Sequence, residues 1–274
     1  MPRITDDDLT EFLKWALPRM GYRWAGFKKV RGQVKSRISE RLDELGIAQL
    51  EDYREYLQDH RAEWERLDEC CYITISRFYR DAAVWDGLRS TVLPALADRA
   101  RADGGQTIRA LSLGAASGEE PYTLKLCWEL DERRPWEGMT LTVDAIDAAE
   151  HMVERADAGV YPPGNLKELP DEWIDIAFEP VDGQLRLRDK FRRHVHFQVA
   201  DIRDFEPSQT FDLIFCRNLA FIYFDESGRE QTLHRLAQWA RPGAVLVAGN
   251  RDIVPDDNAY VSLHPTVDFA WQFN

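Results

Sequence analysis

The stretch that most limits how this chain can fold runs from Leu111 to Thr123, LSLGAASGEEPYT. Before it, Ile108 to Leu113 is an apolar run of the length of one buried strand, and after it Thr123 to Leu130 carries apolar residues at helical spacing. The order is strand, glycine turn, helix. Glycines 114 and 118 permit a sharp turn and close approach of a ligand, since neither has a Cβ. Such turns also occur in α/β domains that bind nothing.

Glu119 and Glu120 follow the turn directly. A dinucleotide site puts a pyrophosphate on the amides of this helix N-terminus, and two carboxylates in that place repel it. Both acids offset the helix dipole, by about 0.3–1 kcal/mol each. Alternatively, one faces inward to hold a cation, such as the ammonium or sulfonium end of S-adenosylmethionine (SAM).

At 274 residues the chain can hold one large core or a core with a small companion domain. Its 48 acidic against 35 basic residues argue against nucleic acid as the general partner. No apolar run approaches the ~20 residues of a membrane span, so no membrane insertion is expected, and MPRITDDDLT does not read as a signal peptide. Cys70, Cys71, Cys127 and Cys216 form no metal-spaced cluster, which reads as reduced thiols in a cytoplasmic protein with no metal.

From Asp6 to about Arg101 the apolar residues repeat at three and four. Phe12, Trp15, Ala16 and Met20 come first, then Val30, Val34, Ile38, Leu42 and Leu45, with Gly46 as a stop; Tyr53, Tyr56, Leu57 and Trp64 follow between Leu50 and Cys71. We expect a helical domain over residues 1–90 and an α/β domain over 91–274. Between Arg19 and Arg41 eight basic residues face a single acid, Glu40. Such a stripe is either a solvated helix face or, in an acidic chain, a surface that meets something negative. On the second reading Lys28, Lys29, Arg31, Lys35 and Arg37 contact an acidic protein or peptide.

In the segment Tyr72 to Asp81, Phe78 and Tyr79 stand beside Arg77 and Arg80, suited either to cover a flat ligand or to serve as an interdomain linker. Asp147 follows the apolar run Leu141 to Ile146 at a strand's carboxyl end, where a carboxylate can accept both ribose hydroxyls; Asp144 competes but falls within the strand. Asp201 follows a further strand pattern, His194 to Val199, where it can accept a hydrogen bond from an adenine amino group. Each acid alone could equally cap a helix. Between Pro162 and Val195 prolines and glycines weaken the pattern, and Gln184 to Arg188 alternates like a short hairpin strand. Phe211 to Cys216 reads as a buried strand that delivers Asn218 to the sheet's carboxyl edge, with Tyr223 soon after as either a chamber wall or a packed tyrosine. Glu226 to Ala240 reads as a helix and Ala244 to Gly249 as another strand.

Four motifs occur here in order: ISRFYRD (75–81), GAASGEEPYT (114–123), ADAGVY (156–161) and FDLIFCRNLAFIYFD (211–225). Together they resemble the CheR family of SAM-dependent methyltransferases, which esterify glutamates of chemotaxis receptors, over roughly residues 26–249. The resemblance implies a Rossmann-like SAM-binding α/β domain preceded by a small all-helical one, with residues 162–195 as a small β-containing insertion. In some members that insertion docks the receptor tail; here it is compact, which argues against docking. Carried over residue by residue, cofactor contacts fall on Thr74, Ser76, Arg80, Glu120, Asp147, Asp201, Ile202, Asn218 and Leu219, with Gly114 in the cradle. The sequence departs from the family pattern at four places. Thr74 replaces the usual asparagine, Leu219-Ala220-Phe221 is one residue longer, Asn250-Arg251 stands where an acid is usual, and Asp257 to Asn274 has no counterpart.

The activity implied is methyl transfer from SAM to a carboxylate, most directly a protein glutamate, leaving S-adenosylhomocysteine (SAH). A glutamate is already ionised at pH 7, so orientation and water removal would dominate. Arg80 would hold the methionine carboxylate or the substrate acid, and Tyr223 would orient the acceptor oxygen. The partner would be an acidic protein or peptide such as a chemoreceptor's cytoplasmic region. The competing readings are a CheR-like enzyme with a small-molecule or peptide acceptor, and a non-catalytic SAM-binding scaffold.

Overall fold

The computed structural model describes residues 4–255 and 259–274, so Asp257, with which the unmatched carboxyl stretch begins, lies outside the described residues. The chain divides into two compact units. The first comprises residues up to Ile73 together with Ile222–Gln231; the second comprises Thr74–Phe221 and Thr232–Asn274. The division falls after Ile73, not near residue 90, because the next helices bury Val84, Trp85, Leu88 and Leu93 in the core of the α/β unit.

The first unit contains α1 (Asp6–Ala16), α2 (Trp24–Phe27), α3 (Arg31–Leu45), α4 (Leu50–Asp59) and α5 (Glu63–Cys70). Thr5 and Asp8 close a capping box on α1. Gly46 ends α3 at φ 68°, a left-handed cap that glycine adopts without a Cβ penalty. The apolar stripes meet inside: Leu9, Leu13, Val34, Ile38, Leu42, Tyr53 and Leu57 are buried, and Phe12 stacks on Tyr53 with ring centroids 5.8 Å apart. Glu63, buried beneath these helices, is held by Arg41 Nη2 at 2.7 Å and by the Tyr53 hydroxyl at 2.8 Å. Segment 222–231 joins this unit through hydrogen bonds from Arg23 N to Tyr223 O (2.8 Å) and from Asp225 N to Gly21 O (2.8 Å).

The basic stripe is partly neutralised within its own unit. Asp6 pairs with Lys35 at 2.6 Å and Arg31 at 3.7 Å, Arg41 takes Glu63 and Glu44, and Arg37 donates to the carbonyl of Tyr72. Lys28 and Lys29 are exposed. The sequence expectation of a nearly unopposed cationic face is therefore corrected. Asp6 lies far off in the chain, but packing of α1 on the bundle brings it to α3.

The second unit begins with α6 (Ala82–Gly87) and α7 (Leu93–Ala102), followed by β1 (Thr107–Leu113), α8 (Glu119–Leu130), β2 (Thr140–Asp147) and α9 (Glu150–Ala158). Next come β3 (Val160–Tyr161), α10 (Asp171–Ala177), β4 (Phe178–Val181), β5 (Gln184–Leu187), α11 (Asp189–Arg192) and β6 (Val195–Val199). The chain closes through β7 (Phe211–Phe215), β8 (Ala240–Val247), β9 (Val261–Leu263) and β10 (Ala270–Phe273). Seven strands form one sheet in the order β6-β2-β1-β7-β8-β10-β9. The first five are mutually parallel, and β10 pairs antiparallel with both β8 and β9.

The parallel centre explains the apolar runs: Phe211 to Phe215 is buried throughout, as expected for a strand covered on both faces. The carboxyl segment that had no sequence counterpart supplies two strands of this sheet. In the insertion, β3, β5 and β4 form a separate antiparallel sheet, turned at Asp182 and Gly183 with φ of 47° and 75°, the two-residue hairpin that Asp-Gly favours. It starts at Val160, slightly before the expected boundary at Pro162. No described helix is long and apolar enough to cross a membrane.

Candidate active site

In the α/β unit the chain steps outward from β1 to β2 and β6, then returns to the other side of β1 with β7 and β8. Loops leaving β1 and β7 therefore diverge, and such a switch point opens a crevice at the carboxyl ends of the strands, where open α/β sheets bind ligands. Gly114 leaves β1 at φ 71°. A Cβ added there would sit 3.0 Å from Leu219 Cδ2, so the turn clears the crevice floor only because residue 114 has no side chain. Gly118, at φ 88°, begins α8 and packs so tightly that an added Cβ would lie 3.0 Å from both Ala156 and Phe197.

The two glutamates separate cleanly. Glu119 is fully buried and accepts from Ser117 Oγ (2.9 and 3.0 Å) and Asn165 Nδ2 (2.7 Å). It ties the helix start to the insertion. Glu120 turns toward the β1–β7 edge, where it accepts from Ser112 Oγ at 2.9 Å and Arg217 Nη1 at 3.1 Å. Burial pushes the Glu120 carboxyl above its usual range, and the Arg217 guanidinium holds it back.

Arg217 was not anticipated. Its side chain, 3% exposed, also donates to Asp81 Oδ2 (2.9 Å) and to the Arg80 carbonyl (3.0 Å), and it lies over the Trp85 ring. One buried cation thus fastens the segment 80–81, the start of α8 and the end of β7 together. The available signal was an arginine directly after the most apolar strand of the sequence, where its charge requires buried partners.

Asp147 is the last residue of β2, as expected. Its two oxygens accept from Ala116 N (2.8 Å) and Ala149 N (2.9 Å), which fixes the carboxylate between the β1 loop and the start of α9. A carboxylate has about four lone-pair sites, so both oxygens keep acceptor capacity. Burial raises its pKa and nearby Asp201 adds to the effect. Asp144 stays within the strand and accepts from Gln209 Nε2 at 2.7 Å. Asp201, just past β6, accepts from Arg203 N (2.8 Å) and Nε (2.9 Å). Ile202 beside it is buried.

Across the crevice, Arg80 donates from Nη2 to Asn218 Oδ1 at 3.3 Å and from Nη1 to the Ile75 carbonyl at 3.2 Å. Thr74 and Ser76 are half-buried on the same segment. Asn218 adopts φ 54°, and its backbone amide donates to Asp252 Oδ2 (2.8 Å), which also accepts from Gly249 N (2.6 Å). The loop after β8 therefore does hold a carboxylate, although Asn250 and Arg251 occupy the positions where an acid was looked for. Burial pushes Asp252 up to about 6, and its Oδ1 is buried without a hydrogen-bond partner among the described residues.

One expectation is overturned. Phe78 and Tyr79 do not cover a ligand: both are buried in the core, with Phe78 packed edge-on against Tyr161 and Phe178. Aromatics beside arginines in a short segment do not by themselves distinguish a lining wall from a core wall. Tyr223 belongs to the first unit, where it is 8% exposed and packs on Phe27 with ring centroids 4.9 Å apart.

The α/β residues fit a cationic nucleoside. Glu120, Asp147 and Asp201 bring three carboxylates to the ends of three adjacent strands, and the Gly114 cradle is a space that a Cβ would fill. Glu120 is paired with Arg217 and Asp201 with Arg203, so the repulsion a pyrophosphate would meet here falls mainly on Asp147.

Comparison with known proteins agrees with this geometry. Residues 74–268 match the family described as CheR methyltransferase, SAM binding domain, and residues 27–68 match CheR methyltransferase, all-alpha domain. A chemotaxis protein methyltransferase of Borreliella burgdorferi is 25% identical over 257 residues, 92% of this chain and 89% of that protein. One of Escherichia coli is 28% identical over 230 residues, 81% of this chain and 76% of that protein. A 104.1 kDa protein of Rhodobacter capsulatus is 29% identical over 244 residues, and there the match spans 88% of this chain but a quarter of the relative. With more than half its length matched, an all-helical unit ahead of a SAM-binding sheet and an acid-lined crevice, the chain belongs to the CheR methyltransferase family and is a SAM-dependent methyltransferase.

Proposed function

We propose that the enzyme forms methyl esters on glutamate side chains of an acidic protein or peptide, the cytoplasmic region of a chemoreceptor being the first partner to test. The observation that carries this reading is the state of Arg80. Arginine has five N–H donors, and Arg80 engages two of them in long hydrogen bonds, to Asn218 and Ile75. By contrast, buried Arg217 is committed to Asp81, Glu120 and the Arg80 carbonyl. Arg80 is therefore the guanidinium at this edge with a fork to offer an incoming carboxylate.

In this reading Glu120 receives the cofactor's ammonium group, Asp147 its ribose hydroxyls, and Asp201 with Ile202 its adenine. Gly114, Thr74, Ser76, Asn218 and Leu219 complete the cofactor wall. When bound, SAM supplies a methyl group on a positively charged sulfur. Arg80 orients the acceptor acid or the methionine carboxylate. The acceptor arrives ionised at pH 7, so no side chain has to remove a proton from it. Exposed Lys28 and Lys29 give an acidic partner a contact on the helical unit, while Arg31 and Lys35 reach it only by exchanging Asp6 and Arg37 by exchanging the Tyr72 carbonyl.

The experiment is transfer of labelled methyl from SAM to a purified receptor cytoplasmic fragment. We expect base-labile label that is lost when the fragment's glutamates are changed to alanine. Label entering only small molecules of a cell extract would overturn the protein-glutamate reading while leaving the methyltransferase intact.

A further inference from the structure

At the opposite end of the sheet from the crevice, β1, β7 and β8 begin around a cavity of about 650 Å³ lined by Arg99, Arg109 and Arg241. Strand β1 spans seven residues, so this cavity lies about 20 Å from the Gly114 turn. A volume of this order suits a nucleotide-sized molecule.

Its charge is out of balance. Asp212 is the buried acid there, 4% exposed, and it serves three groups at once. Its Oδ2 accepts from Arg109 N at 2.9 Å, Arg99 Nη2 approaches Oδ1 at 3.3 Å, and Arg241 Nη1 lies 3.3 and 3.4 Å from the two oxygens. One carboxylate thus anchors two guanidiniums at the long end of hydrogen-bond range. The side chain of Arg109, half-buried in the same wall, makes no hydrogen bond or ion pair among the described residues. Asp103, on the exposed rim, is the other acid lining the cavity.

The backbone makes room for this arrangement. Gly243 takes φ 71°, and a Cβ there would fall 2.7 Å from Arg99 Nη1. A side chain at 243 would displace the Arg99 guanidinium, which also donates to the Pro242 carbonyl at 3.1 Å. Three planar forks line one cavity; Asp212 joins two of them, and with the rim acid Asp103 the lining keeps an excess of positive charge in a chain of net charge −13.

We propose that this cavity is a second ligand site, separate from the SAM crevice, that binds a small phosphorylated molecule through Arg109, Arg99 and Arg241. Phosphate oxygens match the bidentate geometry of guanidinium forks, and the cavity presents the unpaired Arg109 fork beside Arg99 and Arg241, which share Asp212.

The test is calorimetric titration of the full chain with inorganic pyrophosphate, with and without saturating SAH, and with citrate as the comparison anion. We expect saturable one-site binding of pyrophosphate that persists in the presence of SAH and weakens as salt rises. Arg109→Ala should weaken it at least tenfold and leave SAH affinity unchanged. Because the Arg109 side chain has no partner to lose, that variant should fold; Arg241→Gln is the second variant and should weaken binding as well. Absence of saturable pyrophosphate binding would overturn the proposal, as would equal binding by both variants and wild type. Binding of citrate in place of pyrophosphate would overturn the phosphate assignment.

Discussion

Arg217 Nη1 lies 3.1 Å from Glu120 Oε2, and its Nη2 lies 2.9 Å from Asp81 Oδ2. The Glu120 carboxyl that faces the crevice is thus held by a buried guanidinium that itself has almost no contact with solvent. Removing one member of such a group leaves uncompensated charge, at a cost of about 3–5 kcal/mol. Arg217→Met should therefore lower the unfolding free energy by about that amount. It should also act on cofactor affinity. Burial raises the Glu120 pKa and Arg217 opposes the rise, so without Arg217 the carboxyl protonates at higher pH. As pH is lowered, SAH binding by the variant should begin to weaken at a higher pH than that of wild type. Parallel pH profiles for the two proteins would remove Arg217 from cofactor positioning.

The neighbouring glutamates should respond in opposite ways. Glu119 holds Ser117 and Asn165 in a fully buried site, whereas Glu120 faces the crevice edge. Glu119→Gln should lower thermal stability, by about 1–3 kcal/mol for a disturbed buried charged hydrogen bond, and leave SAH affinity within about twofold of wild type. Glu120→Gln should weaken SAH binding roughly tenfold or more, the scale of one charge-assisted hydrogen bond. Calorimetry and thermal melts on both variants check this, and a reversed pattern would mean that the inward-facing acid has been misassigned.

Why sequence reasoning placed some of these residues in the fold and not others follows from how local each feature is. Gly114, Asp147 and Asn218 were legible because a strand pattern ends beside each, and strand ends in a parallel sheet converge on one edge. Local pattern left Glu119 and Glu120 open and only the family resemblance pointed to Glu120, since the choice depends on Asn165 and Arg217, which lie 46 and 97 positions away. Asp6, which neutralises Lys35, and Asp252, which holds Asn218, are likewise distant partners that only the fold brings near. The segment Val261–Leu263 and Ala270–Phe273 was missed as strand because three- and four-residue runs carry too little alternation; β10 is selected by the open edge of β8, and β9 by the edge that β10 then presents.

Arg80 gives a sharper test of the proposed chemistry than of the fold. Its side chain makes two hydrogen bonds longer than 3.1 Å, so its loss should disturb the structure little, by about 1 kcal/mol. Arg80→Ala should nonetheless lose most turnover, on the order of a hundredfold, as expected when an oriented charged donor leaves a reacting centre. Arg80→Lys should recover only a small part, because an ammonium cannot reproduce the planar fork. Initial rates of methyl transfer and melting curves on the same preparations separate the two effects. Near-normal turnover in Arg80→Ala would exclude it from the mechanism.

Asp252 offers a prediction in which only pH is varied. Its Oδ2 accepts the amides of Asn218 and Gly249, and burial lifts its pKa from 3.8 to about 6. An acid whose pKa is higher in the folded state binds its proton more tightly there. The stability this contributes is complete below the unfolded value and is lost as pH rises through the folded one. The window is therefore about pH 4 to 6.5, and a shift of roughly two units corresponds to about 3 kcal/mol. Asp252→Asn keeps a carbonyl oxygen for both amides and has no proton to lose. The difference in unfolding free energy, variant minus wild type, should thus grow by about 3 kcal/mol between pH 4 and pH 7, while other titrating groups cancel. Denaturant titrations at four pH values measure it; a constant difference would mean that the Asp252 carboxyl is ionised throughout, and the left-handed Asn218 would then be held by a permanent anion.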